Sequence, residues 1–483
     1  MKTTILTTAL LASAIATHAR EQPNIILLMA DDMGWGDVGF NGGENIQTPS
    51  LDRLASQGVI LERFYSNSAV SSPTRSSVIT GRNPYRTGIF TANKGIVRQE
   101  EQTIPELLKQ RGYLTGHFGK WHLGTLTDQE RDANRGKVGN SGELNPPRLH
   151  GYDDSFTTES KVPTYDPMLL PTERKGAFWD YIKPGEQTKA YGTAYWRHDG
   201  TKESENLAGD DSRVIMDRVI PFIDRAKGES RPFMSVVWFH APHLPCVAGP
   251  KHQEMYKDQP LDKRNYYGCV TALDEQVGRL VEHLRKIGEL DNTLILFCSD
   301  NGPEGKESAP GTTGGLTGRK RSLHEGGIRV PAFAVWGDKI AKGGKISTPC
   351  HTCDYLPTIA DAAGIKLVDR ELDGESMLPF IVGKRKVSER ERPMIFLLSN
   401  QAAVIDNQYK LYFKGDKYSL YDITNDRTEQ DDLAANNPQL VKEYQSLLDT
   451  KIAEFKASFS GEEYTLTPKI TQKWEDPRTK DRK

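Results

Sequence analysis

Residues 24–30 (NIILLMA) are almost wholly apolar and end on Asp31-Asp32. A short run without polar alternation predicts a strand buried on both faces. Residues 233–239 (FMSVVWF) and 293–299 (TLILFCS) read the same way, and the second ends on Asp300-Asn301. Residues 59–65 and 113–118 predict further strands, and 51–57 and 103–111 predict helical segments. The clearest helix spans residues 266–287, where Val270, Leu273, Val277, Leu280, Val281, Leu284 and Ile287 recur at helical spacing and Gly288 follows as a stop. Strands alternating with helices predict an α/β fold: a large sandwich around a central, mostly parallel mixed sheet flanked by helices.

Two stretches break the rhythm. Residues 125–210 are rich in Gly, Pro and polar residues with scattered Trp and Tyr, which predicts an elaborated surface insertion on the substrate side. Beyond residue 390, short runs at 394–398, 402–405, 409–414 and 418–421 precede a helical pattern over 438–459. They predict a smaller C-terminal α+β subdomain with an antiparallel sheet and one packed helix. A chain of 483 residues exceeds one ordinary core, so the expected division is 20–389 for the large domain and 390–483 for the small one.

The first residues add a destination. Lys2 precedes a short, mostly apolar run over residues 5–16, and Ala14-Ile15-Ala16 and Thr17-His18-Ala19 are both small-residue cleavage patterns. Residues 1–19 are expected to be a signal peptide, and the mature chain exported, periplasmic or secreted. The run is too short to span a bilayer, so no membrane span is expected. With 63 Lys+Arg against 65 Asp+Glu, nothing points to a nucleic-acid partner. Five cysteines in an exported chain permit disulfides without forming a disulfide framework. Cys350 and Cys353 have the spacing of a local disulfide or of two packed thiols.

The chemistry gathers at strand ends. Asp31-Asp32 and Asp300-Asn301 each follow a buried strand, and ligands of parallel sheets bind at carboxyl ends. All-oxygen donors suit a hard cation, calcium rather than zinc, although Asp and Asn also simply cap loops. Ser71-Ser72-Pro73-Thr74-Arg75 places a serine at the start of a helix, where negative charge is stabilised and where a serine also serves as an ordinary N-cap.

Ser71-x-Pro73-x-Arg75 with Thr80-Gly81-Arg82 resembles the sulfatase signature, a family within the alkaline phosphatase superfamily. Further blocks follow in order: Gly119-Lys120-Trp121-His122-Leu123-Gly124, Ala241-Pro242-His243, Asp300-Asn301-Gly302, and Lys320 with Glu325-Gly326-Gly327-Ile328-Arg329-Val330-Pro331. Tyr421-Asp422 through Leu433-Ala434 resembles the family's C-terminal tail. The resemblance covers nearly the whole mature chain.

The resemblance implies a sulfuric ester hydrolase whose residue 71 is oxidised to formylglycine. The more widespread signature begins with Cys, whereas Ser71 resembles the form matured by a radical-SAM enzyme, which becomes an expected partner. By the same resemblance, the hydrate of residue 71 binds one calcium ion with Asp31, Asp32, Asp300 and Asn301. Arg75 and Lys120 hold the hydrate. Lys320 and His243 bind sulfate, and His243 is expected to protonate the leaving alcohol because histidine titrates near neutral pH. His122 takes the proton that lets sulfate leave. Lys120 and His122, two apart, would share one face of a strand.

Substrate contacts are expected from His240 and His324 and from the insertion, which carries Tyr165, Trp179, Tyr181, Tyr191, Tyr195, Trp196, Arg197 and His198. Aromatic faces suit sugar rings, which points to a sulfated carbohydrate attacked from a chain end; the same rings also serve to pack an insertion. Two other readings remain: a phosphatase, phosphodiesterase or phosphonate hydrolase of the same superfamily, and a sulfoglycan-binding protein whose Ser71 stays unmodified.

Overall fold

The computed structural model describes residues 22–367, 370–383, 389–466 and 472–479. The expected signal peptide lies outside them. Among the described residues no helix is long and apolar enough to cross a membrane.

A nine-stranded sheet forms the centre. From edge to edge it runs Gly344–Ile346, Val59–Leu61, Phe333–Val335, Thr293–Ser299, Asn24–Ala30, Phe233–Trp238, Leu114–Lys120, Asp154–Thr158 and Trp196–Arg197. The five strands from Thr293–Ser299 to Asp154–Thr158 are mutually parallel, and antiparallel pairs appear toward both edges.

The Asn24–Ala30 strand shows why an unbroken apolar run marks the middle of such a sheet. Ile25, Leu27 and Met29 join one core layer, with Val78, Ile79, Leu107, Leu356 and Ile359. Ile26, Leu28 and Ala30 join the other, with Val214, Val219, Leu273, Val277 and Leu280. The second layer is closed by two long helices, Asp211–Gly228 and Leu261–Lys286. Alternate side chains from Ile25 to Ala30 therefore meet two apolar environments, and the polar Asn24 stands only at the strand's start, where it bonds Glu289 and the Phe233 amide.

Two expectations change. Residues 59–65 form two short strands, Val59–Leu61 and Phe64–Tyr65, which pair in different sheets. The 125–210 stretch is not only a surface insertion, because Asp154–Thr158 and Trp196–Arg197 extend the central sheet at one edge. Few apolar residues are needed at an edge, so the pattern concealed them.

Met394–Leu398, Gln401–Ile405, Tyr409–Lys414 and Lys417–Asp422 form a separate four-stranded antiparallel meander. One face, with Leu397, Val404, Leu411 and Phe413, packs on Leu448, Ile452, Phe455 and Phe459 of the Pro438–Ser460 helix. The other face, with Phe396, Leu398, Ala403 and Ile405, packs on Tyr65, Val70, Leu323 and Ile328 of the larger layer. A buried ion cluster locks this seam: Lys410 Nζ lies 3.0 Å from Glu325 Oε1 and 2.9 Å from Glu429 Oε1, and Tyr65 donates to Glu325. Docked this way, the meander points its Ser399-Asn400 turn at the ends of the central strands. All five cysteines are buried and unbridged, so Cys350 and Cys353 are packed thiols.

Candidate active site

Register brings the two acidic pairs together. Ala30 pairs with Ser299 in adjacent parallel strands, so Asp31-Asp32 and Asp300-Asn301 emerge side by side. The Asp300 Oδ1 atom accepts from the Asp32 amide at 3.0 Å, and Asn301 Nδ2 donates to Asp32 Oδ1 at 2.7 Å. Asp32 adopts a left-handed backbone at φ 66°, which few non-glycine residues tolerate without compensation.

The Ser71–Thr80 helix delivers the third element. All ten of its residues are buried although six carry hydroxyls. Burial is tolerable because these hydroxyls are hydrogen-bonded: Thr74 to Ser68 O, Ser76 to Thr87, Ser77 to Thr352, and Thr80 to Ser76 O. Gly81 closes the helix at φ 66°. Ser71 is its first residue, and the Oγ atom donates to Asp31 Oδ1 at 3.2 Å. Arg75, one turn on, is fully buried; it bonds Asp300 Oδ2 at 2.9 Å and the Lys120 carbonyl at 3.2 Å, and stacks over Trp238 at 4.9 Å.

Lys120 ends its strand with Nζ at 2.7 Å from Asp31 Oδ2 and 3.4 Å from Ser71 Oγ. Gly119 before it sits at φ 97°, where a Cβ would come within 2.0 Å of the Trp238 carbonyl. His122 does not share a strand face with Lys120, because the strand has ended and His122 turns to φ 60°. Its Nε2 lies 2.6 Å from Asn93 Oδ1, an oxygen that also accepts from Asn134 Nδ2 at 2.7 Å. Oxygen accepts, so His122 donates from Nε2, and its buried Nδ1 has no hydrogen-bond partner. That nitrogen holds an available lone pair.

On the other flank, Lys320 Nζ is 2.7 Å from Asp32 Oδ2 and 3.4 Å from Glu304. His243 donates from Nδ1 to the Leu244 carbonyl at 2.6 Å and turns Nε2 toward Asp32 Oδ2 at 3.6 Å. Burial, offset in part by Asp32, pushes its imidazole down to about 4. That lies below the near-neutral range expected of it from residue type.

These groups open into a cavity of about 620 Å³, within the range of small-ligand sites. Ser71, Lys120, His122, His243 and Lys320 line it, as do Asn93, Asn134, Lys161, Arg321, Ser399, Asn400, Gln401 and Lys414. The second group escaped the sequence reading. Asn93, Asn134 and Lys161 lie in polar loops without a distinctive pattern, and Ser399 to Lys414 lie hundreds of residues from Ser71, where only the docking of the meander brings them close.

The expected substrate contacts from the insertion do not reach this cavity. Trp196 is buried and donates from Nε1 to Asp132 at 2.9 Å. Arg197 pairs with Glu203, and His198 meets Ser155 near the opposite end of its strand. Tyr195 stacks on Phe156 at 4.2 Å and bonds Asp211, and Trp179 packs on Leu170 and Val247. These aromatics fasten the insertion to the sheet. His240 is fully buried between Thr158 and Asp211, each at 2.7 Å, and His324 packs at a tilt against Tyr412 with ring centroids 4.1 Å apart and faces Glu429 at 3.1 Å. Neither is among the residues that line the cavity.

The residues also fit a cation. One ligand atom each from Asp31, Asp32 and His243 lie within 4.8 Å of one another. Beside them, the buried Asn301 Oδ1 has no hydrogen-bond partner, the signature of an acceptor reserved for something else. Burial and the neighbouring Asp31 carboxylate push the Asp300 carboxyl up to about 7 despite Arg75, a strain that a divalent cation would relieve. An orphan amide oxygen and three carboxylates suit a hard ion, while His243 keeps only Nε2 on that side because Nδ1 donates to Leu244.

Residues 23–365 match the Sulfatase family model, and residues 318–458 match the model of the N-sulphoglucosamine sulphohydrolase C-terminal region. The chain belongs to the sulfatase family. It is 30% identical to an uncharacterized sulfatase, YdeN, of Escherichia coli (strain K12), across 88% of this chain and 85% of that one. It is 31% identical to the N-acetylgalactosamine-6-sulfatase of Canis lupus familiaris, across 82% and 73%. The solved structure of Ps i-CgsB in complex with k-i-k-neocarrahexaose superposes with a TM-score of 0.74 at 29% identity, covering 92% of this chain and 94% of that one. This sulfatase is thus a sulfuric ester hydrolase of the alkaline phosphatase superfamily, and the cavity over Ser71 is its candidate active site.

Proposed function

We propose that this sulfatase is an exported enzyme that removes sulfate from the ends of sulfated carbohydrates, using formylglycine made from Ser71 by a serine-type radical-SAM maturase and one calcium ion. The observation that carries the reading is the position of Ser71 Oγ, at a buried helix start between Asp31 Oδ1 at 3.2 Å and Lys120 Nζ at 3.4 Å. A plain alcohol there is a weak nucleophile toward a sulfate ester.

When formed, the hydrated aldehyde supplies two hydroxyls on one carbon, one to attack sulfur and one to release sulfate afterwards. Calcium, when held by Asp31, Asp32, Asp300 and Asn301, supplies Lewis acidity against sulfuryl charge. The remaining work falls to side chains. Arg75 fixes Asp300 and the Lys120 carbonyl, and Lys120 holds the oxygen on residue 71. Lys320 binds sulfate oxygens. His243 exchanges its proton at Nε2, because Nδ1 is committed to Leu244; it takes up that proton with the anionic substrate and gives it to the leaving alcohol. His122 accepts a proton at Nδ1, the nitrogen left free by Asn93. A buried nucleophile at the cavity base favours a sulfate presented at a chain end.

Mass spectrometry of the peptide around residue 71 tests this, on protein co-expressed with the maturase. The expected product lacks two hydrogen atoms relative to serine and releases sulfate from 4-nitrophenyl sulfate. Full turnover by protein with unmodified serine would overturn the formylglycine route. Serine left unmodified by the maturase, with no turnover, would leave the sulfoglycan-binding reading. Among the described residues one oxygen-rich set faces the cavity, which favours sulfate over two-metal phosphate chemistry; phosphate-ester turnover measured in parallel decides between them.

A further inference from the structure

The cavity mouth carries more positive charge than one sulfate needs. Glu304 is the one carboxylate among its lining residues, and it is engaged by Arg321 at 2.6 and 2.8 Å and by Lys320 at 3.4 Å. Lys120 and Lys320 are held by Asp31 and Asp32 on the floor. Two cations of the lining are left over. Lys161 follows the Asp154–Thr158 strand, and Lys414 ends the Tyr409–Lys414 strand opposite Gln401, beside the Ser399-Asn400 turn. Neither has an ion-pair partner among the described residues, although both line the same cavity as Ser71. Unpaired ammonium groups are common on open surfaces, but here they share a concave site with the nucleophile and come from two different parts of the fold.

We infer that Lys161 and Lys414 form a subsite for a second anionic group on the substrate, a carboxylate or another sulfate borne on the same saccharide or its neighbour. This rests on the sulfated-carbohydrate reading and narrows it to polyanionic glycans. The hairpin turn lines the same cavity beside Lys414, so the sugar between the two anions packs along Ser399 and Asn400, while the Gln401 amide is committed to Leu323, Tyr412 and Arg321. The charges act through a partly solvated mouth, so the preference weakens with added salt.

The test compares sulfated disaccharides in three charge classes: one sulfate alone, one sulfate with a uronate, and two sulfates without a carboxylate. The wild type, Lys161→Ala, Lys414→Ala and the double variant are compared by the ratio of kcat/KM for doubly over singly charged substrates. The expected wild-type ratio is about tenfold or more, falling roughly three- to fivefold in each single variant and vanishing in the double variant. Which doubly charged class shows the larger ratio identifies carboxylate or sulfate. Calorimetric binding of the same disaccharides to protein retaining Ser71 as serine gives the ratio without turnover. A wild-type ratio near one, or a ratio unmoved in the double variant, overturns the subsite in either assay. A preserved binding preference in modified enzyme that releases no sulfate supports the subsite and overturns only the sulfate-ester chemistry.

Discussion

Asn93 sets the tautomer of His122. Its Oδ1 accepts from Nε2 at 2.6 Å while Asn134 holds the same oxygen at 2.7 Å, so the lone pair of His122 is confined to Nδ1. Replacing Asn93 with Leu removes that control while leaving the histidine in place. In the mature enzyme kcat should fall by roughly ten- to a hundredfold with KM little changed, a positioning loss smaller than the 10²–10⁴ contributed by a general base itself. Steady-state kinetics on 4-nitrophenyl sulfate measures it, and a KM effect without a kcat effect would assign Asn93 to binding.

Asn301 offers the cleanest test of the cation. Its Oδ1 is buried without a hydrogen-bond partner while Nδ2 serves Asp32. Asn301→Leu should lower calcium content and raise the calcium concentration needed for half-maximal activity by at least tenfold. Asp300→Ala should reduce turnover by orders of magnitude, because it also releases Arg75. Elemental analysis and a chelator titration read both outcomes; unchanged calcium content in both variants would remove these residues from the ligand set.

His243 should matter in proportion to the leaving group. An aryl alcohol departs without much help, whereas a sugar hydroxyl needs a proton. His243→Ala should therefore slow a sulfated sugar at least tenfold more than 4-nitrophenyl sulfate. Equal losses on both would transfer the acid role to Lys320, whose ammonium is held charged: burial lowers its pKa, but Asp32, Asp31 and Glu304 more than restore it.

Acid stability should depend on Asp354, far from the cation site in role. Burial raises the pKa of its carboxyl, but Arg390, at 2.9 Å, and His351 outweigh that and hold it well below the usual carboxylate range. A carboxyl depressed in the folded state stabilises above its unfolded pKa, about 3.9, and that contribution is lost as pH falls toward the folded value. Urea denaturation should show stability falling below about pH 4. Asp354→Asn should lower stability at pH 7 by about 3 kcal/mol, since Arg390 is left buried without a counter-charge, and should flatten the acid limb.

Much of the site was legible because its parts sit at strand ends. The apolar runs before Asp31-Asp32 and Asp300-Asn301 located the central strands to the residue, and because each pair directly follows a strand of a mostly parallel sheet, both were expected at the carboxyl edge. Ser71 was legible as a helix start from Pro73, whereas the role of Arg75 came only from the resemblance of Ser71-x-Pro73-x-Arg75 to the sulfatase signature. The insertion aromatics were not legible, because a tryptophan that stacks on a sugar and one that packs an edge strand have the same composition and spacing. Trp196 and Tyr195 proved to be packing residues only when their partners, Asp132 and Phe156, were in view.

What the chain determined by itself was local: which segments are buried strands, where the acidic and amide oxygens follow them, and which serine starts the helix. These follow from hydrophobic period, capping and turn chemistry, which act over a few residues. The tertiary structure alone decided the register that sets Ala30 against Ser299, the Asn93 oxygen that leaves Nδ1 of His122 free, and the docking of the C-terminal meander that brings Lys414 and the Ser399-Asn400 turn to the cavity over Ser71. Those contacts join residues tens to hundreds of positions apart. They are selected by the packing of whole faces, Phe396, Leu398 and Ile405 against Tyr65, Val70 and Ile328, and no short stretch of sequence carries that information.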